Sequence, residues 1–228
     1  MLDLHGYGWQ LLEGAGMTLR VAGAVLGPGL ALGLAGAFAK LSRFRPARAL
    51  AEAYTTVIRG VPELVILLLF FFGGTVLLTR VSERLGGGYL EVDAFTAGVV
   101  ALSLVFGGYA TEVLRAAILA VPKGEIEAAR AVGMSPALLF RRIMLPQVWR
   151  YALPGLGNVW LVLLKDTSLV SVVGLDELMR KTYVGAGSTR DPLPFYVTAA
   201  LVYLALTTVS TAALQAFERR VTRGVRQA

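Results

Sequence analysis

The chain has 228 residues, 56% of them apolar and only 16% charged, with a mean hydropathy of +0.65 and a net charge of +7. Soluble domains usually carry about a quarter charged residues, so this composition argues against a soluble globular protein and predicts lipid as the main solvent. With no cysteine and one histidine near the N-terminus, the chain offers no disulfide, no evident metal site and no cysteine or histidine for catalysis. Its basic residues lie between apolar runs and not on one polar face, which argues against a nucleic-acid partner.

Five apolar stretches are long enough to cross the hydrocarbon core of a bilayer, which takes roughly 20 helical residues. They cover about 17–39, 57–79, 94–120, 151–175 and 193–217. Because every backbone amide inside lipid must be satisfied within its own segment, we expect helices and not strands. The sequence therefore predicts an all-α, polytopic membrane protein, with one transmembrane domain over residues 1–228.

The first stretch carries glycines at a spacing of four, in GAVLG (23–27) and GLALG (29–33). This spacing allows two membrane helices to approach closely, although the ordinary use of glycine in such helices explains it equally well. A cleaved signal peptide is a poorer explanation of the stretch, because residues 1–16 contain no lysine or arginine.

Lysine and arginine are distributed unevenly among the connections between the stretches. Residues 1–16 have none, whereas the connections after the first and third stretches and the C-terminal tail hold most of the 22 basic residues. The tail contributes Arg219, Arg220, Arg223 and Arg226. Because connections rich in lysine and arginine remain in the cytoplasm, we predict an N-terminus outside the membrane and a cytoplasmic C-terminus.

The segment EIEAARAVGMSPALLFRRIMLP (125–146) is polar, although apolar stretches lie on both sides of it. Pro122 favours a helix start just before it, and Gly133 is suited to the left-handed conformation that ends a helix. Ser135 is a good N-cap, and Pro136 a good first residue, for a second short helix. We expect Pro146 and Pro154 to interrupt the chain after this second helix, so that a helix–turn–helix projection, the coupling loop (about 121–146), joins two spans.

Two readings of this projection remain open on physical grounds. Ala128 and Ala129 make one face of the first helix thin, so another protein could approach its backbone closely. The charged residues around that face suit such a contact: Glu127, Arg130, Arg141 and Arg142. An amphipathic helix that lies on the lipid surface explains the same pattern nearly as well.

The spacing within the segment resembles that of a known motif: Glu-Ala-Ala, three residues, Gly, nine residues, Ile, one residue, Leu-Pro. The matching residues are Glu127, Ala128, Ala129, Gly133, Ile143, Leu145 and Pro146. This pattern is similar to the EAA loop of ABC importer permeases. Three longer segments resemble the polar amino acid subfamily, of the histidine, lysine–arginine–ornithine, arginine and opine type: residues 54–65, 107–129 and 150–178.

The resemblance implies the type I ABC importer permease fold in a bacterial inner membrane. It implies that the coupling loop docks on an ATPase through Glu127, Ala128, Ala129, Arg130, Gly133, Met134 and Ser135, with Ile143, Leu145 and Pro146 in structural roles. The implied partners are an ABC ATPase dimer, a second permease subunit, identical or homologous, and a periplasmic or lipid-anchored amino acid binding protein. The chain has no GxxxxGK[ST] loop, so we expect ATP and magnesium in the ATPase and no cofactor bound here.

Acidic residues inside spans are costly, and three of them are candidates for the substrate pathway: Glu63, Glu112 and Asp166. Arg115 lies three residues after Glu112, so an intrahelical ion pair is the simpler reading of that carboxylate. Interfacial solvation is the alternative for Glu63, and pairing between helices is the alternative for Asp166. An acidic lining would favour a basic amino acid as the substrate.

Two other functions fit the sequence less well. An ion-gradient-driven transporter or channel typically has inverted repeats or a relay of buried carboxylates, and the sequence gives no sign of either. An intramembrane hydrolase could use Ser168 or Ser171 near Lys165, but no GxSxG elbow accompanies them. The sequence therefore predicts a permease that is not itself an enzyme.

Overall fold

A computed structural model describes residues 4–221 of the chain, and within them the regular structure is helical, with no strand. The eight helical segments are α1 Gly8–Leu41, α2 Arg45–Gly60, α3 Glu63–Arg84, α4 Ala94–Leu119, α5 Lys123–Ala131, α6 Pro136–Val173, α7 Leu178–Thr189 and α8 Pro192–Val221. Five of these, α1, α3, α4, α6 and α8, are long and apolar enough to cross a membrane, which confirms the predicted number of spans. Arg223 and Arg226 of the basic tail lie outside the described residues.

The second predicted stretch, 57–79, combines two different helices, so its predicted start is wrong. The helix breaks at Val61 and Pro62, because proline disfavours helical backbone angles for the residue that precedes it. The preceding helix, α2, is strongly amphipathic, and it buries a narrow face formed by Ala51, Thr55 and Ile58. The span proper begins at Glu63, which places this carboxylate in the first turn of α3.

The expectation that Pro146 and Pro154 interrupt the chain is also wrong. Helix α6 continues from Pro136 to Val173, through a π-helical turn at Phe140–Met144, an α-helix over Leu145–Asp166 and a 3₁₀ turn at Thr167–Val173. Proline inside an α-helix normally clashes with the carbonyl four residues earlier, and the wider π turn lies where that clash would occur for Pro146. The coupling loop is therefore continuous with the fourth span.

Helices α1 and α4 pack closely at the glycines of the first span. A methyl group built on Gly33 would lie 2.7 Å from the Cβ of Ala110, and one on Gly29 would lie 2.7 Å from the Phe106 ring. The GLALG spacing is therefore a helix-packing motif. In contrast, neither Gly23 nor Gly27 of the GAVLG pair has an atom within 4 Å of such a position, so this pair makes no close contact within the chain.

A buried carboxylate joins the N-terminal half of α1 to α7 and α8. Glu177 lies in the connection between α6 and α7 and is fully buried. It accepts hydrogen bonds from the backbone N–H of Arg180 at 2.9 Å, the hydroxyl of Tyr203 at 3.1 Å and the hydroxyl of Thr18 at 3.4 Å. Burial raises the pKa of Glu177, since removal from water disfavours the ionised form. Sequence analysis missed this residue because it lies outside the apolar stretches.

We predict that Gly33→Leu destabilises the protein, because the new side chain must separate α1 from α4. Overpacking of this kind costs roughly 1–3 kcal/mol, so the midpoint of thermal unfolding in detergent should fall. Gly23→Leu, in the same helix, is the matched control, since its side chain enters open space. Equal unfolding midpoints for the two variants would contradict the assigned α1–α4 contact.

Candidate functional site

The coupling loop begins with helix α5, which ends in a well-formed Schellman motif. The N–H of Gly133 donates to the carbonyl of Arg130 at 3.0 Å, and the N–H of Met134 donates to the carbonyl of Ala129 at 3.1 Å. Gly133 has φ +76°, a left-handed conformation in which residues with a Cβ are strained. Ser135 then caps α6, since its hydroxyl accepts a hydrogen bond from the N–H of Leu138 at 3.4 Å.

Side-chain contacts attach the coupling loop to the helical bundle. The amide of Gln147 donates both to the Glu125 carboxylate and to the carbonyl of Ile143, the latter at 3.1 Å, so it links α5 to the start of the long helix. Ile126 packs against the main apolar core. Helix α5 is therefore attached through Gln147 to the start of α6. Gln147 lies just beyond the matched motif, and for this reason sequence analysis did not select it.

The predicted docking residues of the coupling loop fall into two groups, exposed and buried. Glu127, Ala128, Arg130, Gly133 and Ser135 are exposed, and Met134 is half-buried. Ala129 is only 5% exposed, so it packs inward and does not offer a contact surface, which corrects its predicted docking role. Ile143 is half-buried, whereas Leu145 and Pro146 are exposed.

One exposed apolar residue was missed by sequence analysis. Val132, at the tip of the loop beside Gly133, is 74% exposed. It adds an exposed apolar side chain to a loop tip whose other exposed residues are mainly polar or charged. The structure supplies this signal, because the sequence shows valine only as part of an alanine-rich helix end.

Glu112 is an ion-pair residue. Its two carboxylate oxygens are divided between Lys40 of α1, which binds Oε1, and Arg115 of α4, whose guanidinium lies 2.9 Å from Oε2. The predicted pair with Arg115 is confirmed, and the contact with Lys40 adds a link between helices. Because cations of this chain occupy both oxygens, the structure favours the ion-pair reading of Glu112 over a pathway role.

The other two pathway candidates lie near the same tyrosine. The hydroxyl of Tyr109 donates to Glu63 Oε1 at 3.2 Å, and Tyr109 also lines a small cavity that Asp166 borders. Arg59 lies over the Tyr109 ring, 6.0 Å from its centroid. Among residues 4–221, neither Glu63 nor Asp166 forms an ion pair. The structure thus places two half-buried carboxylates, neither with an ion pair in the described part of the chain, near the same aromatic ring.

Comparison with known proteins identifies the fold and family. Residues 29–223 match the family described as the binding-protein-dependent transport system inner membrane component. The chain belongs to this family. Its relatives include the nopaline transport system permease protein NocQ of Agrobacterium fabrum, which is 52% identical over 97% of this chain and 94% of that relative. They also include the histidine/lysine/arginine/ornithine permease protein HisQ of Escherichia coli, which is 44% identical over 99% of both chains.

Solved structures agree with this assignment. A crystal structure of an amino acid ABC transporter with histidines has a TM-score of 0.81 and 36% identity, over 94% of this chain and 95% of that chain. An inward-facing methionine ABC transporter has a TM-score of 0.76 at 22% identity, which supports the fold alone. The chain is therefore an ABC importer permease of the polar amino acid and opine type, as the EAA spacing predicted. The ion-gradient alternative has no support from these matches.

We predict that Glu112→Gln and Lys40→Met each lower the thermal unfolding midpoint, since each leaves a partly buried charge with fewer partners. The expected cost is roughly 1–3 kcal/mol. The double variant should be less destabilised than the sum of the two single variants, because the two residues interact directly. Additive effects would contradict the α1–α4 ion pair, and Glu52→Gln, at an exposed position, serves as the neutral control.

Proposed function

We propose that this permease carries basic amino acids or opines, and that the coupling loop transmits ATP-driven closure of a separate ABC ATPase dimer to the spans. The observation that carries the proposal is the exposed face of α5 and its Schellman turn, which is attached by Gln147 and Ile126 to the fourth span. ATP and magnesium are bound by the ATPase in this scheme, and the present chain performs no hydrolysis.

The proposed docking surface consists of Glu127, Ala128, Arg130, Val132 and Gly133, with Met134 and Ser135 at its edge. It combines an exposed apolar residue with charges of both signs, so it suits a cleft with an apolar floor and charged walls. A backbone turn fixed by Gly133 presents these side chains in one orientation. Closure of the ATPase would then shift α5 and α6 together and change the relative stability of the outward-facing and inward-facing forms.

The proposed orientation places the N-terminus outside and the C-terminus in the cytoplasm. The ends of α1 and α4 that carry Lys40 and Arg115 then share the cytoplasmic side with the coupling loop, in accord with the distribution of basic residues. The remaining partners are a second permease subunit, identical or homologous, and a periplasmic or lipid-anchored binding protein on the opposite side.

The proposed pathway residues are Glu63 and Asp166, with Tyr109 near both. Two neighbouring carboxylates without an ion-pair partner create a negative potential that a cationic side chain would relieve. The relatives NocQ and HisQ bear the names of nopaline and of histidine, lysine, arginine and ornithine systems, which supports a substrate with a basic group.

We predict that Glu127→Lys and Val132→Asp reduce uptake about tenfold in proteoliposomes containing the complete importer, as expected for loss of roughly 1–2 kcal/mol of interface energy. The ATPase should co-purify less well or hydrolyse ATP without transport. Gly133→Leu should act in the same way through backbone strain, since no neighbouring atom obstructs its side chain.

The matched control for these variants is Glu52→Lys, an exposed charge reversal in α2. It should leave uptake and ATPase recovery unchanged. Normal transport in both Glu127→Lys and Val132→Asp would exclude this face as the docking surface.

We predict that Asp166→Asn lowers uptake of arginine about tenfold while a neutral amino acid is transported at an unchanged rate, because the loss is electrostatic. Glu112→Gln should instead affect both substrates equally, through stability. The measurement is competitive uptake of two radiolabelled amino acids by one preparation, with a binding protein that delivers both. An equal loss for both substrates in Asp166→Asn would exclude the proposed selectivity.

A further inference from the structure

An apolar groove runs along the outside of the bundle between α1, α4, α6 and α8, away from Glu63 and Asp166. It has a volume of about 420 Å³. It is lined by Leu26 and Leu30 of α1, by Trp149, Leu153 and Trp160 of α6, and by Phe217 of α8. Gly157 allows α8 to approach α6 beside the groove, because a methyl group built on it would lie 3.2 Å from Leu214.

The length of the groove corresponds to one leaflet. From Trp149 to Trp160 an α-helix rises roughly 16 Å, and half of the hydrocarbon core is about 15 Å. The residues that line the groove over this length are almost all apolar, so the groove suits an extended hydrocarbon chain.

One end of the groove is basic. Trp149 adjoins Arg150, whose Nε donates to the carbonyl of Val221 at the end of α8, 3.2 Å away. Arg219 and Arg220 are exposed in the same turn, just after Phe217 of the groove wall. This end of the groove therefore carries three arginines and one glutamate, Glu218. This end is on the same side of the bundle as the coupling loop, since α6 leaves the loop at Pro136.

We propose that this groove binds an anionic phospholipid, with one acyl chain between Trp149 and Trp160 and the phosphate beside Arg150, Arg219 and Arg220. Tryptophan at the groove end suits the boundary between headgroups and hydrocarbon. A basic residue near an anionic headgroup contributes enough attraction for about a fivefold preference over a zwitterionic lipid. The lipid would fill the space between α8 and α1, beside the direct contact of α8 with α6 at Gly157 and Leu214.

The test uses quenching of tryptophan fluorescence by brominated lipid. The complete importer is reconstituted in nanodiscs of phosphatidylcholine that contain a minor fraction of either dibrominated phosphatidylglycerol or dibrominated phosphatidylcholine. The groove signal is the fluorescence of the parent minus that of a Trp149→Phe/Trp160→Phe variant. This subtraction removes the contributions of Trp9 and of the partner chains. We expect half-maximal quenching at a phosphatidylglycerol fraction about fivefold below that for phosphatidylcholine.

Two test variants, each with a matched control, distinguish binding of the headgroup from binding of the acyl chain. Arg150→Gln/Arg219→Gln/Arg220→Gln should abolish the preference for phosphatidylglycerol, whereas Arg43→Gln/Arg45→Gln/Arg48→Gln removes the same charge elsewhere and should retain it. Ala213→Phe, which fills the groove, should reduce quenching by both lipids, and the adjacent exposed Ala212→Phe should not.

Equal quenching by the two brominated lipids would overturn the proposal, as would unchanged quenching in Ala213→Phe. The absence of any quenching would also overturn it, since that result is expected where the second permease covers the groove.

Discussion

The close packing of α1 against α4 is the contact on which the rest of the structure depends. Gly29 and Gly33 allow the two backbones to meet, and the Lys40–Glu112 pair closes the same interface at its end. Helix α4 also carries Tyr109, at the proposed pathway, and leads directly into the coupling loop. Because apolar burial gives little driving force in lipid, this interface relies on a charge pair and on close packing, and the close packing requires small residues at fixed positions.

The coupling loop shows how a polar segment can be firmly attached and still be available to a partner. Its inner residues, Ile126, Ala129 and Gln147, belong to the bundle, while Val132 and Glu127 remain exposed. The uninterrupted passage into α6 means that force applied at the loop acts on the whole fourth span. A flexible linker at Pro146 would have separated the two, so the continuity of this helix is part of the proposed coupling.

Sequence analysis predicted the five spans, the turn at Gly133 and the Ser135 cap, because each follows from local composition or backbone preference. It failed where the outcome depended on tertiary structure. Pro146 is accommodated by a π turn that hydropathy does not indicate. The burial of Ala129 and the exposure of Val132 depend on how α5 sits on the bundle. Glu177 was missed because its partners, Thr18 and Tyr203, are distant in sequence.

Three kinds of carboxylate in this chain show that partners, and not residue type, decide the role of an acidic group near lipid. Glu112 is neutralised by two cations, and Glu177 is held by two hydroxyls and one backbone N–H while burial raises its pKa. Glu63 and Asp166 have neither arrangement, and each lies where a helix changes: Glu63 just after the break at Pro62, and Asp166 where α-helix gives way to a 3₁₀ turn. Such breaks free backbone groups, which is how many transporters form a polar site at membrane depth. A carboxylate without an ion pair at a helix break is costly unless a cation visits it, and this cost is the physical basis for proposing the pathway at these two residues.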